Sequence, residues 1–185
     1  MKHVEKDIHG FTLIETLVAV TILTIAIVGP YSIAHTAIRT ARVSQDDLVA
    51  SYLAQEGIEI VHAIRDDNLL ARVSGTDSWR WWLEGAGACV SSECMVDAQS
   101  FTVTGCQGEA GYFFCAPLYM SDTGVYNQQE SGTESKFTRS VRIDEHYYGS
   151  ITEATVSVRV SWLENTTPRS VTLQEHLYDW LGYGM

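Results

Sequence analysis

The sequence predicts an α+β fold, in which a long N-terminal α-helical spine packs on an antiparallel β-sheet head with a disulfide-bearing loop. Residues 10–38 form an apolar stretch with a single charge, and residues 39–64 have the spacing of an amphipathic helix. The last third of the chain alternates apolar and polar residues, as strands do. The length of 185 residues suits one such helix and one compact domain.

The N-terminal apolar stretch is long enough to cross a membrane. Residues 16–38 contain no Asp, Glu, Lys or Arg, and at helical rise they span about 35 Å, more than a hydrocarbon core of roughly 30 Å. Because proline removes a backbone donor, Gly29 and Pro30 predict a kink or local unwinding within this span. Glu15 is unusual here, since a carboxylate near mid-membrane costs about 3 kcal/mol and such residues commonly mark function.

The motif GFTLIE at residues 10–15 resembles the processing site of type IV prepilins and of the pseudopilins of type II secretion. The resemblance implies that a membrane peptidase cuts between Gly10 and Phe11 and that Phe11 is then N-methylated. It further implies that Glu15 guides assembly of the helix into a filament. The implied partners are other pilin-like subunits, the prepilin peptidase and methyltransferase, the membrane before assembly, and an inner-membrane assembly platform.

This interpretation divides the chain into four parts. Residues 1–10 are a leader removed on maturation, residues 11–38 the membrane-spanning half of the helix, residues 39–66 its amphipathic half, and residues 67–185 an extracytoplasmic β-rich head. A secretory signal peptide has its small residue after a shorter apolar run, whereas Gly10 precedes the run, so that cleavage there would retain the helix. Basic residues lie on both sides of the span and leave its orientation open.

The amphipathic half of the helix carries apolar residues at three- and four-residue spacings. They fall in two stripes: Ala41, Leu48 and Tyr52, and then Val49, Leu53, Ile60 and Ile64. The pattern predicts a helix to about Ile64 that lays one stripe on the head. The following segment, residues 65–68, has the sequence RDDN and is predicted to begin a loop, because Asp and Asn compete for backbone hydrogen bonds.

The four cysteines, Cys89, Cys94, Cys106 and Cys115, are close in sequence and have no Cys-x-x-Cys spacing and no His among them. They therefore predict disulfides and not a zinc site. Three connectivities are possible, and local loop closure favours Cys89–Cys94 with Cys106–Cys115. Because disulfides need an oxidising compartment, we expect the head outside the cytoplasmic membrane. The resemblance to prepilins further implies a place on the cell surface or in an extracellular filament after assembly.

The head has one clear hairpin signal. Residues 154–162 alternate apolar and polar side chains, residues 164–169 form a turn, and residues 171–177 continue the alternation on a return strand. Three further segments are candidate strands: FTRSVRI at 137–143, SFTVT at 100–104 and YFFCAPLYM at 112–120.

Several classes of function are disfavoured. A net charge of -11 argues against a basic surface for nucleic acid, and no nucleophile elbow, phosphate-binding loop or catalytic pair is visible. We therefore expect no enzymatic activity, no cofactor and no metal, and a membrane-tethered enzyme ranks last. Trp79, Trp81 and Trp82 could form a stacking platform for sugar, although core packing explains three tryptophans more simply.

The sequence thus favours a structural subunit: a pilin, a minor pilin or a pseudopilin. The alternative is a single-pass membrane-anchored extracellular binding protein or adhesin that uses the tryptophan cluster.

Overall fold

The computed structural model describes residue 10 and residues 12–73, 83–109, 112–148 and 151–178. Helix α1 runs over Leu13–Val73. The chain divides into two compact units, residues 1–45 and residues 46–185, and α1 contributes to both.

The described part of the first unit is helical from Leu13 onward, and its side chains contact no core. Leu13 is 85% exposed, Ile25 75% and Ile33 72%, a distribution that would be costly in water for so many apolar side chains. By length and composition, α1 can cross a membrane. Gly29 and Pro30 lie inside an uninterrupted helix, so the local unwinding predicted there is not found in this described segment.

The second unit combines the remainder of α1 with two antiparallel sheets. Its larger sheet contains β1 (Cys94–Val96), β2 (Val103–Gly105), β5 (Pro117–Met120), β6 (Tyr126–Asn127), β7 (Thr133–Tyr148), β8 (Ile151–Glu164) and β9 (Thr167–Tyr178). The smaller sheet pairs β3 (Gln107–Glu109) with β4 (Tyr112–Phe114), and a short 3-10 helix covers Gly87–Cys89. The α+β fold predicted from the sequence is confirmed.

Three long strands form the centre of the larger sheet. β8 pairs with β7 on one side and with β9 on the other, so that Val158 lies opposite Val141 and Leu173. The predicted hairpin is present, and its turn needs only two residues because Glu164 pairs with Thr167. Asn165 has φ +57°, a left-handed conformation that Asn tolerates better than most residues.

The core lies between the upper part of α1 and one face of the larger sheet. From the helix it includes Ala50, Leu53, Ala54, Ile58, Ile60 and Val61, and from the sheet Phe137, Val141, Ile143, Val156, Val158, Val160, Trp162 and Leu177. The alternating buried positions of β8 are those that the sequence predicted. Phe137 packs edge-on against Trp162, with ring centroids 5.7 Å apart.

The helix makes its closest approach to the sheet at Gly57. A Cβ at that position would lie 2.8 Å from Cγ1 of Val158 and 3.3 Å from Cδ of Arg139. Glycine therefore serves close packing here, at a helix position where it ordinarily costs about 1 kcal/mol relative to alanine.

Two details differ from the sequence predictions. α1 continues to Val73 and does not end near Ile64, because Leu69 is buried and the Asn68 side chain donates to the carbonyl of Glu84 at 2.8 Å. As predicted, one helix stripe packs on the head: Leu53 and Ile60 are buried, whereas Tyr52 of the other stripe is 66% exposed. The segment 100–104 contributes only its end to β2, since Phe101 is 56% exposed with φ +53°.

Candidate functional site

The candidate site at the N-terminus is built around the first turn of α1. The amide of Glu15 donates to the carbonyl of Thr12 at 3.1 Å and to its Oγ1 at 3.4 Å, and the amide of Thr16 donates to the same carbonyl at 3.2 Å. Thr12 thus caps the helix, and the spacing of Thr12 and Glu15 is that of a capping box. The Thr-x-x-Glu spacing at residues 12–15 is visible in the sequence and could have predicted this cap.

The cap places Glu15 in the first turn of the helix, near the positive end of the helix dipole. Gly10 is exposed, while Phe11 lies outside the described residues. A carboxylate at a fixed distance from an exposed glycine, followed by an exposed apolar helix, is a combination of features that an ordinary membrane anchor does not need.

Comparison with known families decides what this region is. The prokaryotic N-terminal methylation motif matches residues 6–29. The chain carries the type IV prepilin-type signal. The match covers Gly10, Glu15 and helix α1 as far as Gly29. A search of curated proteins and a search of solved structures each found no match.

The prepilin-type signal supports a type IV pilin-like precursor and is consistent with membrane anchoring through α1. The signal also implies processing by a prepilin peptidase and assembly with pilin-like subunits. The match ends at residue 29, before the head begins, so it gives no information about the head.

Two disulfides connect the loops of the head. Cys89 is bonded to Cys94 with their Cα atoms 4.8 Å apart, and Cys106 to Cys115 with theirs 4.5 Å apart. Both pairs are those favoured by local loop closure. The first bridge lies in the core beside β1, and the second closes the loop that contains β3 and β4.

Arg139 on β7 joins the helix to the sheet. Its guanidinium is fully buried and donates to the carbonyl of Leu53 at 3.1 Å, to that of Val96 at 2.7 Å, and to the carboxylate of Glu56. A buried arginine is stable only if it is paired and hydrogen-bonded, and these three contacts come from two elements, α1 (Leu53 and Glu56) and β1 (Val96). The role of Arg139 was not predicted, because an arginine at an alternating strand position has no distinctive sequence pattern.

Asp97, at the end of β1, organises the loops at one end of the head. The side chain is 2% exposed and accepts from the amide of Gln128 at 2.8 Å, from that of Ser100 at 2.8 Å and from that of Gln99 at 3.0 Å. Burial alone would raise the pKa of Asp97, but the hydrogen bonds from Gln128, Ser100 and Gln99 outweigh it and hold the pKa below its usual value of 3.8.

The sequence also offered a tryptophan cluster as a possible ligand contact. Trp79, Trp81 and Trp82 lie outside the described residues. Within the described ranges, no group of three or more His, Cys, Asp or Glu side chains has the geometry to bind a metal ion.

Proposed function

We propose that this chain is a structural subunit of a type IV pilus-like filament. In this proposal it is cut between Gly10 and Phe11, N-methylated at Phe11, and assembled with other pilin-like subunits through α1. The observation that carries the proposal is the prepilin-type signal leading directly into a helix whose apolar side chains are exposed from Leu13 to Ile38. Those side chains need lipid before assembly and neighbouring subunits after it.

Glu15 gives the assembly step its register in this proposal. Cleavage creates a positively charged amine on Phe11, and both this amine and the Glu15 carboxylate would lie in apolar surroundings, where unpaired charges are costly. Pairing of Glu15 with the amine of a neighbouring subunit would neutralise both charges. Such a pair fixes geometry more than it adds net affinity, since desolvation offsets much of the attraction.

The two disulfides support a head that folds outside the cytoplasmic membrane, because bridges persist in oxidising compartments. An inner-membrane platform would then receive the cut subunit from the bilayer. The chain is a substrate of peptidase and methyltransferase in this proposal and performs no catalysis itself.

The test is to follow cleavage and fibre formation in the native host. The peptidase must accept a residue with almost no side chain before the cut, so Gly10→Val should leave the leader attached and the protein in the membrane. Gly29→Val is the matched control, because a Cβ at Gly29 meets no atom within 4 Å and the position lies away from the cut.

The readouts are the intact mass and the protein in sheared surface fibres. Wild type and the Gly29→Val variant should begin at a methylated Phe11. The Gly10→Val variant should still carry the leader. A wild-type protein that keeps its leader in its own host, or that is absent from fibres after correct cleavage, would overturn the proposal.

A further inference from the structure

The outer face of the larger sheet carries a cleft of about 620 Å³. Side chains of a strand alternate between faces, and Val158 and Val160 of β8 belong to the core beneath α1. Arg159 and Ser161 of the same strand therefore point to the opposite face, where both line the cleft. The volume falls within the range of roughly 300–1,000 Å³ that is typical of small-molecule sites.

The cleft floor is a grid of hydroxyl groups on three neighbouring strands. Thr138 lies opposite Ser161, which lies opposite Ser170, and one row further along Ser140 lies opposite Arg159. Neighbours in a row are about 5 Å apart, and rows about 7 Å apart. Within the part of the chain that the structure describes, these four hydroxyls make no side-chain hydrogen bond, so all remain available to donate and accept.

Two arginines, Arg159 and Arg169, line the cleft. The guanidinium of Arg169 lies 3.5 Å from the carboxylate of Asp47, whereas Arg159 is exposed and has no carboxylate partner among the described residues. The neighbouring row contains Arg142, whose guanidinium lies 2.9 Å from the carboxylate of Asp144 and which does not line the cleft. An unpaired guanidinium beside hydroxyls offers a planar fork of donors that matches a carboxylate.

Among the described residues, two loops form walls of the cleft. Glu93 contributes a carboxylate acceptor, and Cys115 lies in the wall while covalently bonded to Cys106. The bridge closes the loop 106–115, so that this wall is held in position before any ligand arrives. Preorganisation of this kind lowers the cost of binding.

We propose that this cleft binds a carboxylate-bearing sugar, such as a uronic acid unit of an acidic polysaccharide. Arg159 receives the sugar carboxylate, while the four hydroxyls and Glu93 exchange hydrogen bonds with the sugar hydroxyls. Glu93 disfavours a small ligand that carries negative charge and no hydroxyls. None of the described lining residues is aromatic, so recognition here relies on hydrogen bonds and charge without ring stacking. The site takes no part in the proposed filament assembly. It would allow the subunit to bind a ligand at its surface.

Calorimetric titration of the detergent-solubilised full-length chain with glucuronate tests the proposal, with glucose, acetate and sulfate as separate titrants. Glucuronate should bind about tenfold or more tightly than any of the other three, since only it combines a carboxylate with ring hydroxyls. Equal binding of acetate or sulfate would reduce the cleft to a bare anion site and overturn the sugar proposal. Absence of glucuronate binding would overturn it as well.

Variants locate the site. Arg159→Gln should weaken glucuronate binding about tenfold or more, because a charge-assisted hydrogen bond becomes a neutral one. Arg142→Gln on the adjacent row is the matched control and should bind as wild type does. Both substitutions are at exposed positions, and unchanged thermal unfolding confirms that each variant folds. If both variants weaken glucuronate binding equally, or if neither weakens it, the assignment to this cleft is wrong.

Discussion

The two halves of α1 have the same backbone conformation but opposite relations to their surroundings. Below residue 45 the described side chains are nearly all exposed, including large apolar ones such as Ile25 and Tyr31. Above it, Leu53 and Val61 are buried against the sheet while Gln55 and Glu59 face outward. The lower half therefore presents an apolar surface on all sides, as membrane anchoring and the proposed assembly require, and the upper half packs on its own head.

The two halves of the helix thus suit two different surroundings. Uniform apolar composition suits surroundings that are apolar on all sides, whereas a stripe suits a helix with one wet and one dry face. Changes in the upper half should consequently alter the stability of the head, and changes in the lower half should alter only assembly. Substitutions at single positions separate these two effects.

Replacing Arg139 should be the most destabilising change in the head. Arg139→Ala removes the donors for the carbonyls of Leu53 and Val96 and leaves Glu56 without its partner, at a cost of about 3–5 kcal/mol. Urea unfolding of the solubilised full-length chain measures this loss. Arg142→Ala, an exposed arginine paired with Asp144, should cost less than about 1 kcal/mol. A similar small loss for both would mean that Arg139 does not join helix to sheet.

Asp97→Asn should destabilise the head by about 1.5–3 kcal/mol at neutral pH, since charge-assisted hydrogen bonds to backbone amides are lost. The pKa of Asp97 is lowered in the folded state, so its contribution is fully present above the unfolded value near 3.8 and is lost as pH falls through the folded pKa. The difference in unfolding free energy between wild type and variant should stay constant from pH 7 to 5 and narrow below about pH 4. A difference independent of pH down to 2 would exclude the carboxylate as its source.

Glycine substitutions compare the two halves directly. Gly57→Ala should destabilise the head by about 1 kcal/mol, because crowding against Val158 and Arg139 exceeds the gain in helix propensity. Gly29→Ala, where a Cβ meets no atom within 4 Å, should leave the unfolding midpoint of the head unchanged. Equal midpoints for the two variants would show that the helix does not approach the sheet closely at Gly57.

Much of this molecule could be predicted from local patterns. The apolar run of residues 16–38, the alternation from Ala154 to Trp162 and the close spacing of the cysteines each follow from short-range rules, and each corresponds to an element or bond of the structure. The motif around Glu15 could be recognised because its residue types and spacing occur together within six positions.

What could not be predicted depends on contacts between distant segments. Asn68 suggested a loop, yet its bond to Glu84 and the burial of Leu69 keep the helix continuous. Arg139 and Asp97 are inconspicuous in the sequence, because only the fold brings Leu53, Val96 and Gln128 to them. The hydroxyl grid of the cleft likewise requires the register of three strands, which alternation alone does not determine.

The central claim is that the lower half of α1 serves assembly through Glu15, while the upper half serves the head. The most direct test compares Glu15→Val with Glu59→Val, an identical substitution at an exposed position of the upper half. Each variant is expressed in the native host, and the cut subunit in the membrane is compared with the subunit in sheared fibres. We predict that both are cut at Gly10 and inserted, that Glu59→Val enters fibres as wild type does, and that Glu15→Val accumulates in the membrane. Entry of Glu15→Val into fibres at the wild-type level, or equal exclusion of both variants, would contradict the account.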